Sequence, residues 1–124
     1  MEKRILIVED EVDLREAMAD ALSEAGFSII TAADGEAGLS MAKTEHPDLI
    51  LLDLMMPVMN GELMLKKLRE DEWGQNAHVI ILSAMDDVGH IAHAHEGKLV
   101  DYFIKAHMSL DELVKQVRMA IHMV

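Results

Sequence analysis

The stretch Pro47-Asp48-Leu49-Ile50-Leu51-Leu52-Asp53-Leu54-Met55-Met56-Pro57-Val58-Met59-Asn60-Gly61 decides how the rest of the chain reads. Residues 49–52 form a short, uninterrupted aliphatic run. Such a run fits a strand covered on both faces, as in a parallel sheet, better than one with a wet side. The run stops at a carboxylate, Asp53, and Pro57 and Gly61 mark a loop beyond it.

Working outward, four similar runs appear: Ile5-Leu6-Ile7-Val8, Phe27-Ser28-Ile29-Ile30, Val79-Ile80-Ile81-Leu82, and residues 99–104. Helical patterns separate them. Leu14, Met18, Ala21, Leu22 and Ala25 recur at helical spacing, as do Leu110, Leu113, Val114, Val117 and Ile121. Asp10 or Glu11 can open the first helix and Gly26 closes it. Ser109 with Glu112 forms a capping box for the last one. Helices are also expected over 35–45, 61–71 and 86–96, the first of these weakened by about 1 kcal/mol at Gly38. Five strands each followed by a helix, joined by right-handed crossovers, give an α/β fold. It is a flavodoxin-like, doubly wound (βα)5 parallel sheet of order 2-1-3-4-5.

The 124 residues fit one domain, 1–124, with no repeat or linker to divide it. Eleven Lys and Arg stand against 23 Asp and Glu, a net charge of −12, which excludes phosphate-backbone binding and hence a nucleic-acid partner through this domain. The absence of Cys removes disulfides, thiolate chemistry and Cys-type zinc sites. The start lacks a signal-peptide pattern, and the most apolar window, 49–59, is too short to span a bilayer. A cytoplasmic protein with no membrane partner is expected.

In such a sheet, ligands bind beyond the carboxyl ends of the strands, where the first and third diverge. Each strand that can face that pocket ends in a polar group: Glu9-Asp10-Glu11, Asp53, Ser83 and Lys105. Carboxylates gathered there repel one another and call for a cation. Hard oxygen ligands suit Mg²⁺, which keeps waters and takes a substrate phosphate as a further ligand. Lys105 adds a point charge for an anion and Ser83 a neutral donor. These are the parts that phosphoryl transfer requires, and Asp53 is the natural acceptor.

At this point the chain resembles the receiver domain of bacterial two-component response regulators, of the single-domain, chemotaxis-regulator kind, over essentially its whole length. The resemblance rests on Ile5-Leu6-Ile7-Val8-Glu9-Asp10-Glu11, the stretch from Pro47 to Gly61, Ile80-Ile81-Leu82-Ser83-Ala84 and Asp101-Tyr102-Phe103-Ile104-Lys105. It implies a phosphoprotein of a two-component or phosphorelay system. Asp53 would accept a phosphoryl group from a sensor histidine kinase or a histidine phosphotransfer protein. Asp10 would bind Mg²⁺ (or Mn²⁺) directly and Glu9 largely through water, with Asp53 and the backbone carbonyl of Met55 completing the protein ligands. Ser83 and Lys105 would hold the phosphoryl oxygens, and Tyr102 matches the aromatic that turns inward when Ser83 moves. The surface read by a downstream protein target or effector domain would be the helix over 86–96, the strand over 99–104 and the last helix. A monomer, or a homodimer formed on phosphorylation, and a stand-alone switch rather than a turnover enzyme are expected, with slow autodephosphorylation. Ala106 departs from the family, which usually carries Pro after the Lys; this bears on how Lys105 is aimed.

Blander readings exist. Glu9-Asp10-Glu11 would also serve as an acidic first helical turn, and Tyr102 as a packing residue. His90 and His93 share a helical face, but no clear ligand triad forms with His95; imidazoles there would make the partner surface pH-sensitive. The Met residues read as core filler. Two functional alternatives remain. A Mg²⁺-dependent phosphatase of the haloacid-dehalogenase type would carry Asp where Met55 stands. A pseudo-receiver would bind partners without phosphorylation. A flavodoxin-like FMN carrier is disfavoured, since Glu9-Asp10-Glu11 would repel phosphate.

Overall fold

A computed structural model describes residues 2–56, 58–83, 100–104 and 109–122. Five strands, β1 (Arg4–Val8), β2 (Ser28–Ala32), β3 (Leu49–Asp53), β4 (Val79–Ser83) and β5 (Val100–Ile104), pair in parallel in the order β2-β1-β3-β4-β5. This is the expected order. The helices described are α1 (Val12–Glu24), α2 (Gly35–Glu45), α3 (Gly61–Glu70) and α4 (Leu110–His122), with a 3-10 turn at Gly74–Asn76. The helix expected over 86–96 lies outside the described residues. Among the described residues, no helix is long and apolar enough to cross a membrane.

Alternation along the strands splits the core in two. Ile5, Ile7, Leu49, Leu51, Ile80 and Leu82 meet α1 and α4 through Met18, Leu22, Leu113 and Val117. Leu6, Val8, Ile50, Leu52, Val79 and Ile81 meet α2 and α3 through Ala42, Met64, Leu65 and Leu68. The central strands β1 and β3 are wholly buried from Ile5 to Val8 and from Leu49 to Leu52, which is why their sequences run apolar without alternation. The edge strand β2 is half-buried at Ser28, Ile29 and Ile30, and it continues past the apolar run to Thr31 and Ala32, which pair with Ile7 and Val8.

Helix ends follow local chemistry. Asp34 accepts the Ala37 N–H at 2.8 Å, Asn60 the Leu63 N–H at 2.9 Å, and Ser109 Oγ the Glu112 N–H at 3.2 Å. Glu11 is the α1 N-cap but makes no side-chain cap bond. The third helix stops at Glu70, one residue short of the expected end, and Asp71 turns its carboxylate to the Gly74 N–H at 3.0 Å. Arg69 then donates to the carbonyls of Gly74 and Ala77 at 2.8 and 2.7 Å, fixing the crossover into β4; burial lowers its pKa from the ordinary value.

Gly38, read from sequence as a weak point, is a packing device. A Cβ there would lie 2.8 Å from both methyls of Val8 and 3.1 Å from Met64 Sδ. Its absence lets α2 sit directly on β1. Gly38→Ala is therefore expected to destabilise, although helix propensity alone favours Ala by about 1 kcal/mol. Overpacking costs about 1–3 kcal/mol, so urea unfolding should show a net loss of about 1 kcal/mol with an unchanged slope. A raised midpoint would overturn this account.

Candidate functional site

The site is built by strand register. Val8 pairs with Leu52, so the residues that follow, Glu9 and Asp53, leave the sheet side by side at its carboxyl edge. One carboxylate oxygen from each of Glu9, Asp10 and Asp53 lies within 4.8 Å of the others. Glu9 is 0% exposed and Asp53 2%, whereas Asp10 is open to solvent.

Backbone amides shape both buried acids. Glu9 Oε2 accepts the N–H of Glu11 at 3.3 Å, and Asp53 Oδ1 accepts the N–H of Met55 at 3.2 Å. In each case a strand-end carboxylate is held by the amide two residues on. The Met55 side chain is 72% exposed. The loop after β3 closes through Gly61: its N–H donates to the Leu54 carbonyl at 3.0 Å, and a Cβ there would collide with the Asp53 carbonyl oxygen. Any side chain at residue 61 would push α3 away from the acid it supports. Within the same loop Val58 adopts φ 67°. The left-handed region is costly for a β-branched side chain, about 1–3 kcal/mol. The strain sits five residues from Asp53.

Ser83 closes β4, one residue beyond Leu82, the partner of Asp53. Tyr102 lies in β5 opposite Ile81. Lys105 and Ala106 lie outside the described residues, as do His90, His93 and His95. Thus the structure brings together Glu9, Asp10, Asp53 and Met55, and it sets the backbone of Ser83 at the same sheet edge. Sequence reading missed Arg15, which donates to the Glu9 carbonyl at 2.9 Å. The signal available was a cation one turn into the helix that follows an acid-bearing strand end.

Chemically, three crowded carboxylates with no imidazole or thiolate among them form a donor set for a hard divalent cation. Burial of two of them strengthens the demand for positive charge, since buried like charges are poorly screened. The donor set therefore fits Mg²⁺.

Comparison with known proteins came out uniformly. The sequence pattern described as "Response regulator receiver domain" matches residues 5–118. The chain is 36% identical over 122 residues to "Probable transcriptional regulator ycf27" of Porphyridium aerugineum, covering 98% of this chain and 49% of that one. It is 41% identical over 115 residues to "Transcriptional activator protein IrlR" of Burkholderia pseudomallei, covering 93% and 48%. The chain thus spans about half the length of the curated relatives it matches. Among solved structures, the receiver domain of the Francisella response regulator 1452 superposes with a TM-score of 0.85 at 31% identity, covering 98% of both chains. Vibrio cholerae CheY4, at 24% identity and TM-score 0.85 over 97% of this chain and 99% of that one, shares the fold.

If the acidic cluster takes up a cation, Mg²⁺ should raise the unfolding temperature of the parent protein. The gain expected at one hundred times the dissociation constant is about 2.7 kcal/mol. Asp53→Ala should lose most of it. Equal shifts in parent and variant, followed by differential scanning calorimetry, would count against the cluster as the binding site.

Proposed function

The chain belongs to the response regulator receiver domain family, and from that premise we propose that it is a phosphoacceptor switch in which Asp53 takes a phosphoryl group from a phosphohistidine. The observation that carries this reading is the burial of Asp53 within 4.8 Å of two further carboxylates at the mouth of a parallel sheet.

In the proposed step a carboxylate oxygen of Asp53 attacks phosphorus in line with the departing imidazole nitrogen. The P–N bond breaks as the P–O bond forms, and the imidazole leaves with its electron pair and takes up a proton. The product is an acyl phosphate on Asp53 and a neutral histidine on the donor. The Met55 amide, bonded to Asp53 Oδ1, fixes the carboxylate so that one oxygen stays oriented for attack. Asp10 and Asp53 would hold Mg²⁺ (or Mn²⁺) directly, Glu9 through water and Met55 through its backbone carbonyl; the ion would neutralise the charge of the transferring phosphoryl group. Lys105 and Ser83 are assigned to the phosphoryl oxygens and Tyr102 to the conformational response. The charge added at Asp53 then biases a pre-existing equilibrium toward a signalling surface.

The donor is a sensor histidine kinase or a histidine phosphotransfer protein, and the setting is the cytoplasm. Relatives named as transcriptional regulators, about twice this chain's length, support an output through an effector domain or a downstream protein. Residues 1–124 are read as one receiver domain, acting as a switch with slow autodephosphorylation rather than as a turnover enzyme.

Incubation with Mg²⁺ and a small acyl-phosphate or phosphoramidate donor tests the reading. Intact mass should show one phosphoryl adduct on the parent protein, none on Asp53→Asn, and none once the metal is chelated. The same adduct on Asp53→Asn, or none on the parent with either donor class, would overturn the assignment.

A further inference from the structure

Three hydrogen bonds to described residues restrain Glu9. Its N–H, the last before the chain leaves the sheet, donates to the Ala32 carbonyl of β2 at 3.1 Å. Its carboxylate accepts the Glu11 N–H. Its carbonyl lies past the strand ladder and is buried with the rest of the residue; a buried carbonyl needs a donor. The Arg15 guanidinium supplies one at 2.9 Å, reaching back from the first turn of α1. The Arg15 N–H also donates to the Glu11 carbonyl at 2.9 Å. Glu9, Glu11 and Arg15 therefore close a ring of three hydrogen bonds, and Asp10 is the residue enclosed between two of its members.

We propose that Arg15 is a positioning residue that sets the divalent-cation affinity of the acidic cluster, by locking the β1–α1 turn on which Glu9 and Asp10 sit. This rests on reading the cluster as a cation site. The two physical effects of Arg15 have opposite signs. Its charge, held on the Glu9 carbonyl at 2.9 Å, opposes cation uptake at the neighbouring cluster and lowers affinity. Its hydrogen bond holds the turn in the conformation that gathers the carboxylates, which raises affinity. Geometry prevails here. Arg15 is itself partly exposed, so solvent and salt damp its charge, whereas a buried main-chain carbonyl deprived of its donor re-aims the turn itself. Groups that orient the primary ligands of a metal typically contribute about 10–100-fold in affinity.

The opposed signs make the proposal easy to test. Arg15→Met keeps much of the apolar stem and removes donor and charge together; Arg15→Lys keeps the charge but not the planar fork. Isothermal titration with Mg²⁺ should show Arg15→Met binding about 10-fold more weakly than the parent, with Arg15→Lys between them. In the metal-free proteins, hydrogen exchange should show the Glu9 and Glu11 amides losing protection in Arg15→Met while those of β3 keep theirs. Affinity unchanged or tightened in folded Arg15→Met, or unaltered exchange at these amides, overturns the proposal. Should Arg15→Met fail to fold, weaker binding by Arg15→Lys sustains the proposal and parental binding overturns it. A parent protein that takes up no Mg²⁺ strikes the cation-site reading itself, and the exchange measurement then decides the role of Arg15 alone.

Discussion

Mutual repulsion among carboxylates at one edge of the sheet is the constraint around which the functional end of this molecule is organised. Pairing of β1 with β3 in the centre of the sheet imposes it: eight wholly buried aliphatic residues, Ile5 to Val8 and Leu49 to Leu52, fix the register that brings Glu9 beside Asp53. The core thus determines the electrostatics. Slipping one strand by a residue would exchange the side chains packed in the two halves of the core and cost far more than the repulsion it relieved. The acids must be accommodated where they stand, and the accommodation is visible in the amides of Glu11 and Met55 and in the guanidinium of Arg15.

The framework was legible because hydrophobic runs, caps and turn residues each act locally. Five apolar runs became five strands, and the acid at the end of each central run fell at the pocket where parallel sheets bind ligands. Gly38 was misjudged for an instructive reason. Helix propensity is a property of the segment, whereas the contact with Val8 and Met64 depends on a neighbouring layer that the segment cannot reveal. The same holds for Arg15: its spacing from Glu9 is visible, but its choice of a main-chain carbonyl depends on how the chain leaves the sheet. Val58 at φ 67° was equally hidden, because its conformation contradicts its own preference and is imposed by a loop anchored at Asn60 and Gly61. Strand β2 starts at Ser28, one residue after the apolar run that marks it, since half-buried edge strands lose the continuous pattern that marks central ones.

The two ends of the sheet divide their tasks. At the carboxyl end lie the crowded acids and the strained loop. At the amino end, Arg4 pairs with Glu45 at 2.8 Å, its N–H donates to the Asp48 carboxylate, and the Asp48 N–H returns a bond to the Arg4 carbonyl. Exposed pairs of this kind contribute little energy individually, yet they tie β1 to the connection between α2 and β3. The carboxylate cluster lies at one pole, and conventional pairing ties the chain together at the other.

That second pole also carries the lone tryptophan of the chain. Trp73 stacks on His46 with ring centroids 4.4 Å apart and planes 5° from parallel, just ahead of the amino ends of β4 and β3. A five-residue strand spans about 16 Å, so the indole and the acids are separated by the thickness of the sheet's long dimension. Its emission is consequently set by its packing on His46, about one strand's length from the acids. Any brightening or dimming that accompanies loading at Asp53 would be a sign that the disturbance had travelled the length of the strands.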